Sequence, residues 1–337
     1  MEQRKIISLG RSSLVISLPK HWIELNELKQ GDMVSVAVQR DRSLVIFPGK
    51  GRSEDRKITL HIDSDEKAAS IVRKVIACYL NGYFGIRLVS KKIFTVAQQR
   101  AIRDISRKLY MRIMESNAKY IYIQTLIDET KASVDTAVRR MHAIAISMYR
   151  DALDSLRNRD VALAKVVYSL DNDVDHFSFF ILRLIRSVIL NPELTNHIGL
   201  ELIDCPDYQT LVHRIEQVAD RAANIAKCII MLEGARQEIS DSILELILKA
   251  GEEVFNAYDR AVKAFFSRDV VEANKIIELQ EKIIRLDQEI ASKFFSSKTK
   301  NVTVCCSVCS IRDNIRETME HAVDIADLTI DRSYKAT

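Results

Sequence analysis

A chain of 337 residues, 47% of them hydrophobic and 28% charged, can bury more than one core and is too apolar to be disordered. Nine Gly and four Pro favour helix; six Cys, behind a start (Met1-Glu-Gln-Arg-Lys-Ile) with no long apolar run, read as reduced and mostly buried thiols of a cytoplasmic protein. The net charge of +4 resides wholly in residues 1–57, with 11 Lys/Arg against 7 Asp/Glu, so an anionic partner is expected to meet the N-terminal piece.

Residues 4–18 alternate apolar and polar in two short runs, Lys5-Ile-Ile-Ser-Leu and Ser13-Leu-Val-Ile-Ser-Leu, split by Gly10-Arg11. Pro19 opens a short helix, Lys20 to Leu28; Gly31-Asp32 turns into Met33 to Gln39, and Asp41-Arg-Ser43 turns into Leu44-Val-Ile-Phe47 before Pro48. This order, with Leu18-Pro19-Lys20 and Lys29-Gln-Gly31-Asp32-Met-Val as its most specific parts, resembles the AbrB/MazE-like swapped-hairpin family. The resemblance implies a small swapped-hairpin β-barrel over residues 1–50, completed by a second chain, hence a homodimer. It also places Arg4, Lys5 and Arg11 where family members face DNA, although ordinary solvated cations on a dimerisation barrel fit the same residues.

Gly49 to Arg56 reads as a linker. Residues 57–130 alternate strand-like runs (58–62, 85–89, 120–124) with helical ones (66–80, 96–114) and form a small α/β module without a Gly-rich phosphate loop, a spacer or sensor of unknown ligand. From Ser133 the periodicity is helical, predicting helices near 133–157, 160–190, 207–233, 238–266, 269–296 and 307–331. The apolar stretch Phe177 to Leu190 is interrupted by Arg183 and Arg186 and falls short of a membrane span, so no membrane insertion is expected.

These helices are duplicated. Tyr149 to Phe177 aligns without gaps onto Tyr258 to Leu286 at an offset of 109, sharing Arg159-Asp160-Val161 with Arg268-Asp269-Val270. His213-Arg-Ile-Glu216-Gln-Val-Ala-Asp220-Arg-Ala-Ala-Asn224 recurs 100 residues on, with Arg316, Glu320 and Asp324 in the places of Glu216, Asp220 and Asn224. Two copies of three helices, 133–233 and 238–332, make two antiparallel bundles, a mainly α body.

Four-residue spacing stacks Asp171 with Asp175, and Glu216 with Asp220 and Asn224, on single helix faces. Like charges so placed repel, and a hard or borderline cation between them would remove that penalty. Pairing with Arg214, Arg221 and Lys165 on a solvated face is the alternative. In the second copy Gln280, Ile284 and Arg316 replace three acids, leaving Glu320 and Asp324, and Arg316 is placed to pair with Glu320 at i+4. Cys305, Cys306 and Cys309 lack a second Cys pair and read as buried thiols at the start of the last helix.

Tandem bundles with Asp171-xxx-Asp175 on one helix and Glu216-xxx-Asp220-Arg-Ala-Ala-Asn224-Ile-Ala on the next resemble the PhoU phosphate-uptake regulators over roughly residues 133–332. An AbrB-like segment ahead of such repeats is similar to an architecture of archaeal members. The resemblance implies a metal ion (Fe, Mn, Mg or Zn) held by Asp171, Asp175, Glu216, Asp220 and Asn224, with Glu320 and Asp324 as the remnant of a second site. It implies a non-enzymatic regulator that docks on a phosphate ABC transporter or its sensor kinase, with promoter DNA as a further candidate partner of the N-terminal domain. Two other readings stay open: an AbrB-type transcriptional regulator with a ligand-sensing body, and a di-iron helical-bundle enzyme, for which His176, His213 and His321 do not supply the paired Glu-xxx-His motifs.

Overall fold

The structure, a computed structural model, describes residues 3–10, 13–38, 42–48, 56–233, 239–297 and 301–335. Two compact units divide at residue 55/56.

The N-terminal unit holds two antiparallel hairpins and one short helix. Strand β1 (Ile7–Leu9) pairs with β2 (Ser13–Val15), Ile7 opposite Val15. Strand β3 (Val34–Val38) pairs with β4 (Leu44–Pro48), Val38 opposite Leu44, and helix α1 (Lys20–Leu25) starts after Pro19. The hairpins form separate two-stranded sheets, and among the described residues they close no barrel. The reason is visible in the burial: no described side chain of this unit is buried, and Leu9, Leu14, Met33 and Val38 are each at least 65% exposed.

In the second unit, β5 (Lys57–Ile62), α2 (Ala68–Leu80), β6 (Gly85–Ser90), α3 (Val96–Lys108), β7 (Met111–Ser116) and β8 (Tyr120–Thr125) build the α/β module. Its sheet runs β5-β6-β8-β7, with β5 parallel to β6 and the other pairs antiparallel. Helix α3 ends earlier than its periodicity predicts. A capping box of Thr95 with Gln98 starts it, but Tyr110 takes a left-handed φ of 53° and turns the chain into β7, a strand the helical reading of 96–114 had absorbed.

Helices α4 (Val134–Asn158), α5 (Val161–Leu190) and α7 (Cys205–Leu232) form the first bundle; α8 (Asp241–Ser267), α9 (Val270–Ser296) and α10 (Val302–Ser333) form the second. The connection bracketed by Pro192 and Pro206 contains a four-residue helix, α6 (Thr195–Ile198), between 3-10 turns. The repeated Arg-Asp-Val is the corner of each copy. Arg159 and Arg268 end one helix at φ 55° and 54°, and Asp160 and Asp269 cap the next by accepting from Leu163 N (3.0 Å) and Glu272 N (2.9 Å). Both bundles share one apolar core, with α7 packed on α10 and α4 on α8. Gly251 permits the latter crossing: a Cβ there would lie 2.6 Å from Leu153 Cδ2.

The module's core is separate, and Phe179 of α5 packs against it. Arg183, 1% exposed, is the bolt between them: its guanidinium donates to Glu129 Oε1 (2.8 Å), Tyr79 O (2.6 Å) and Tyr83 O (3.1 Å). No helix of the described residues is long and apolar enough to cross a membrane.

Candidate cation site between two helices of the first bundle

Asp171 and Asp175 lie one turn apart on α5, and Glu216, Asp220 and Asn224 one turn apart on α7, all half-buried. The two helices bring Asp171 and Asp220 into hydrogen-bond contact across the bundle. Two carboxylates this close repel when both are ionised, so each resists losing its proton. Burial, then the charges of Asp220 and Asp175, push Asp171 up to about 6; burial, then Glu216 and Asp175, raise Asp220 as well.

The other two acids are drawn aside. Glu216 Oε2 accepts from Ser178 Oγ (2.8 Å), and Asp175 pairs with Lys108 Nζ, an ammonium that reaches the cluster from the last residue of α3. Lys108 was not singled out in the sequence, because no local pattern ties residue 108 to residue 175. The cations expected as surface partners go elsewhere: Arg214 lies 3.0 Å from Asp324, Arg221 2.8 Å from Glu317, and Lys165 3.9 Å from Glu233.

In the second bundle the remaining acids are matched by arginines. Glu320 accepts from Arg316 at 2.7 Å, the i+4 pair the spacing suggests, and Asp324 is held by Arg214 of the first bundle. Asp287, in the position of Ser178, takes a bidentate pair of bonds from Arg312, both 2.9 Å. His321 is 8% exposed; neither ring nitrogen has a hydrogen-bond partner, and Asp324 stands 3.9 Å away. Burial, then Arg214, hold its pKa down at about 4.

As placed, no three His, Cys, Asp or Glu side chains among the described residues are grouped to hold a metal ion. The donor chemistry fits one nonetheless. An all-oxygen set suits a hard or borderline cation, and among the described residues Lys108 and Arg221 act on the Asp171–Asp220 pair through charge, neither through a hydrogen bond.

Elsewhere, Arg4 of the N-terminal unit donates to Ser17 Oγ (3.0 Å) and Leu18 O (3.4 Å), Lys5 is exposed, and Arg11 lies outside the described residues. The cysteine triplet differs from expectation: α10 begins at Val302, so the thiols sit in its first turns with Cys306 exposed and Cys305 and Cys309 half-buried, whereas Cys78, Cys205 and Cys228 are buried.

Two tandem three-helix bundles with an interhelical carboxylate pair in the first define a class of duplicated helical accessory folds. Within it, the PhoU domain model matches residues 138–229 and 247–329, just over half of the chain, and the chain belongs to the PhoU family. Residues 7–54 match the MazE model, "Antidote-toxin recognition MazE, bacterial antitoxin". The "Phosphate-specific transport system accessory protein PhoU homolog" of Rhizobium meliloti is 24% identical over 217 residues, covering 62% of this chain and 87% of that protein. The crystal structure of PhoU from Pseudomonas aeruginosa superposes with a TM-score of 0.52 at 17% identity, over 58% of this chain and 93% of its own. The phosphate transport system regulatory protein PhoU from Streptococcus pneumoniae gives 0.52 at 14% identity, over 58% and 91%.

Proposed function

We propose that this chain is a cytoplasmic, non-enzymatic regulator of phosphate uptake, whose first bundle binds a metal ion and whose body docks on a phosphate transporter or its sensor kinase. Family membership and the Rhizobium relative's place as an accessory protein of a phosphate-specific transport system support the regulatory part. The observation that carries the metal part is the contact of Asp171 with Asp220 across two helices, where burial and neighbouring carboxylates raise the pKa of both, the mark of a site short of positive charge. Asp171, Asp220, Asp175 and Glu216 would hold the ion, with Asn224 as a neutral oxygen at its edge. Once bound, the ion would supply the charge that offsets the repulsion between the touching carboxylates. A bound metal changes the shape or rigidity of the α5–α7 pair, which is how the body would signal to its partner. The N-terminal unit is read as a homodimerisation domain, because none of its described side chains is buried.

Elemental analysis of the purified full chain beside Asp171→Asn/Asp220→Asn tests the site, and phosphate uptake in cells lacking the chain tests the role. Expected are metal in the wild type only, and an altered uptake rate restored by wild type but not by the double variant. Equal metal content removes the site; unaltered uptake removes the role. The match of residues 7–54 to an antitoxin model favours DNA contact as a second reading, which predicts duplex binding that falls steeply with salt and weakens on Lys5→Ala.

A further inference from the structure

The two bundles balance their acids differently. In the second, the acids along the facing stretches of α9 and α10 named above are met by arginines of the helical body: Asp287 by Arg312, Glu317 by Arg221, Glu320 by Arg316 and Asp324 by Arg214. In the first, Asp171, Asp175, Glu216 and Asp220 lie within electrostatic reach of one another along α5 and α7, and Asp175 pairs with a cation from outside the bundle, Lys108 on the α/β module. A guanidinium in a bidentate pair is fixed by two parallel bonds, whereas an ammonium is a point charge on a flexible four-carbon stem. Lys108 is the exchangeable one.

Its position is set from two sides. The last turn of α3, where exposed carbonyls favour a cation, presents Lys108 toward Asp175, and the Nζ lies 6.0 Å from the Phe179 ring. The left-handed residue two positions on, Tyr110, lays its ring edge-on against His176 (6.0 Å) and Phe180 (6.4 Å) of α5. The α9 positions equivalent to Phe179 and Phe180 are Gln288 and Glu289, so the face that receives the module exists on the first bundle alone.

We propose that Lys108 is the resident counter-ion of the α5–α7 acid cluster and competes with a metal cation for it, making the α/β module the part that sets the site's affinity. This rests on the cation-site reading above. Metal entry recruits Asp175, releases the ammonium to solvent and removes one of the ties between α3 and α5. By linkage, whatever holds the module against α5 weakens metal binding, and whatever ligand loosens it strengthens metal binding.

The test uses the intact protein and Mn(II) at pH 7, with affinity measured by calorimetry for wild type, Lys108→Met and Lys108→Arg. Lys108→Met should bind about tenfold more tightly than wild type, and Lys108→Arg no more tightly. A second readout needs no variant: amine acetylation followed by mass spectrometry should show Lys108 several-fold more reactive with Mn(II) than without, and no such change in Asp171→Asn/Asp220→Asn. Equal affinities of wild type and Lys108→Met, or a Lys108 whose reactivity ignores bound Mn(II), overturn the competition and leave the cation site standing. Absence of Mn(II) binding by both wild type and Lys108→Met overturns the two together.

Discussion

Asp171 and His321 impose opposite pH dependences on the same helical body. The folded pKa of Asp171, about 6, lies above its unfolded value near 3.8, so the folded state keeps a proton that the unfolded chain releases, and stability falls as pH rises through that window. A shift of that size is about 3 kcal/mol at full value, and solvent screening of a half-buried group brings it to about 1 kcal/mol. Asp171→Asn, which keeps the shape and a hydrogen-bond donor, should therefore raise Tm at pH 7 in chelator by about 2–4 °C. His321 does the reverse. Its folded pKa, about 4, lies below the ordinary 6.5, so stability present above pH 6.5 is lost as pH falls toward 4, by about 3 kcal/mol for a side chain this buried. Its neutrality has a structural origin in the duplication. His321 occupies the position of Arg221, but Gln217 stands where Glu317 answers Arg221, and Gln217 already accepts from Arg214 at 2.8 Å. Between pH 4 and 6 the two slopes offset each other in the wild type. Melting curves across that range should show a steeper acid loss in Asp171→Asn and a loss with rising pH in His321→Leu; profiles parallel to wild type would remove both assignments.

The contact of α5 with the module depends on a buried ion pair, and such pairs are costly to break from one side. Glu129→Ala leaves Arg183 charged at 1% exposure with the carbonyls of Tyr79 and Tyr83 and the Tyr79 ring but no carboxylate, and should cost about 3–5 kcal/mol in urea unfolding. Glu129→Leu/Arg183→Met removes both charges and should cost less than Glu129→Ala alone; a double variant worse than the single one would mean that the carbonyl bonds, not the charge pair, hold the joint. What could be foreseen follows the same division between local and distant causes. The corners at Arg159-Asp160 and Arg268-Asp269 were legible because a left-handed residue and an Asp cap act within four residues. The six long helices and the convergence of α5 with α7 were legible because periodicity and duplication repeat each other. Strand β7 was not, since Met111-Arg-Ile-Met also fits a helical pattern and only the backbone at Tyr110 decides. Lys108, Ser178 and Arg183 each find partners tens of residues away, so their roles emerge only from the packed structure.

Duplication left the protein with one conditional half and one fixed half. In the second bundle Asp287, Glu317, Glu320 and Asp324 pair with arginines of the helical body, while in the first Asp175 pairs with a module lysine and Asp171 faces Asp220. A regulator gains from that asymmetry, since only the conditional half can respond to a ligand. The N-terminal unit raises a different question, because its hairpins expose Leu14 at 73%, Val36 at 55% and Val38 at 74%, and none of its described side chains is buried. A two-stranded hairpin alone is marginal in water, and contiguous apolar surface on strands this short is stable only when a second sheet covers it. A second copy of the same chain is an occupant always at hand, and a C2 pairing would let the same apolar strands serve both chains. Leu14→Lys/Val36→Lys in the full chain should lower the mass seen by light scattering from two chains to one. Because both side chains are already exposed within a single chain, the substitutions add no burial cost to the monomer, and the melting of the helical body should stay where it was. A variant that remains dimeric would move the interface to the helical body, where Phe295 at 68% and Val302 at 74% exposure would be the next positions to charge.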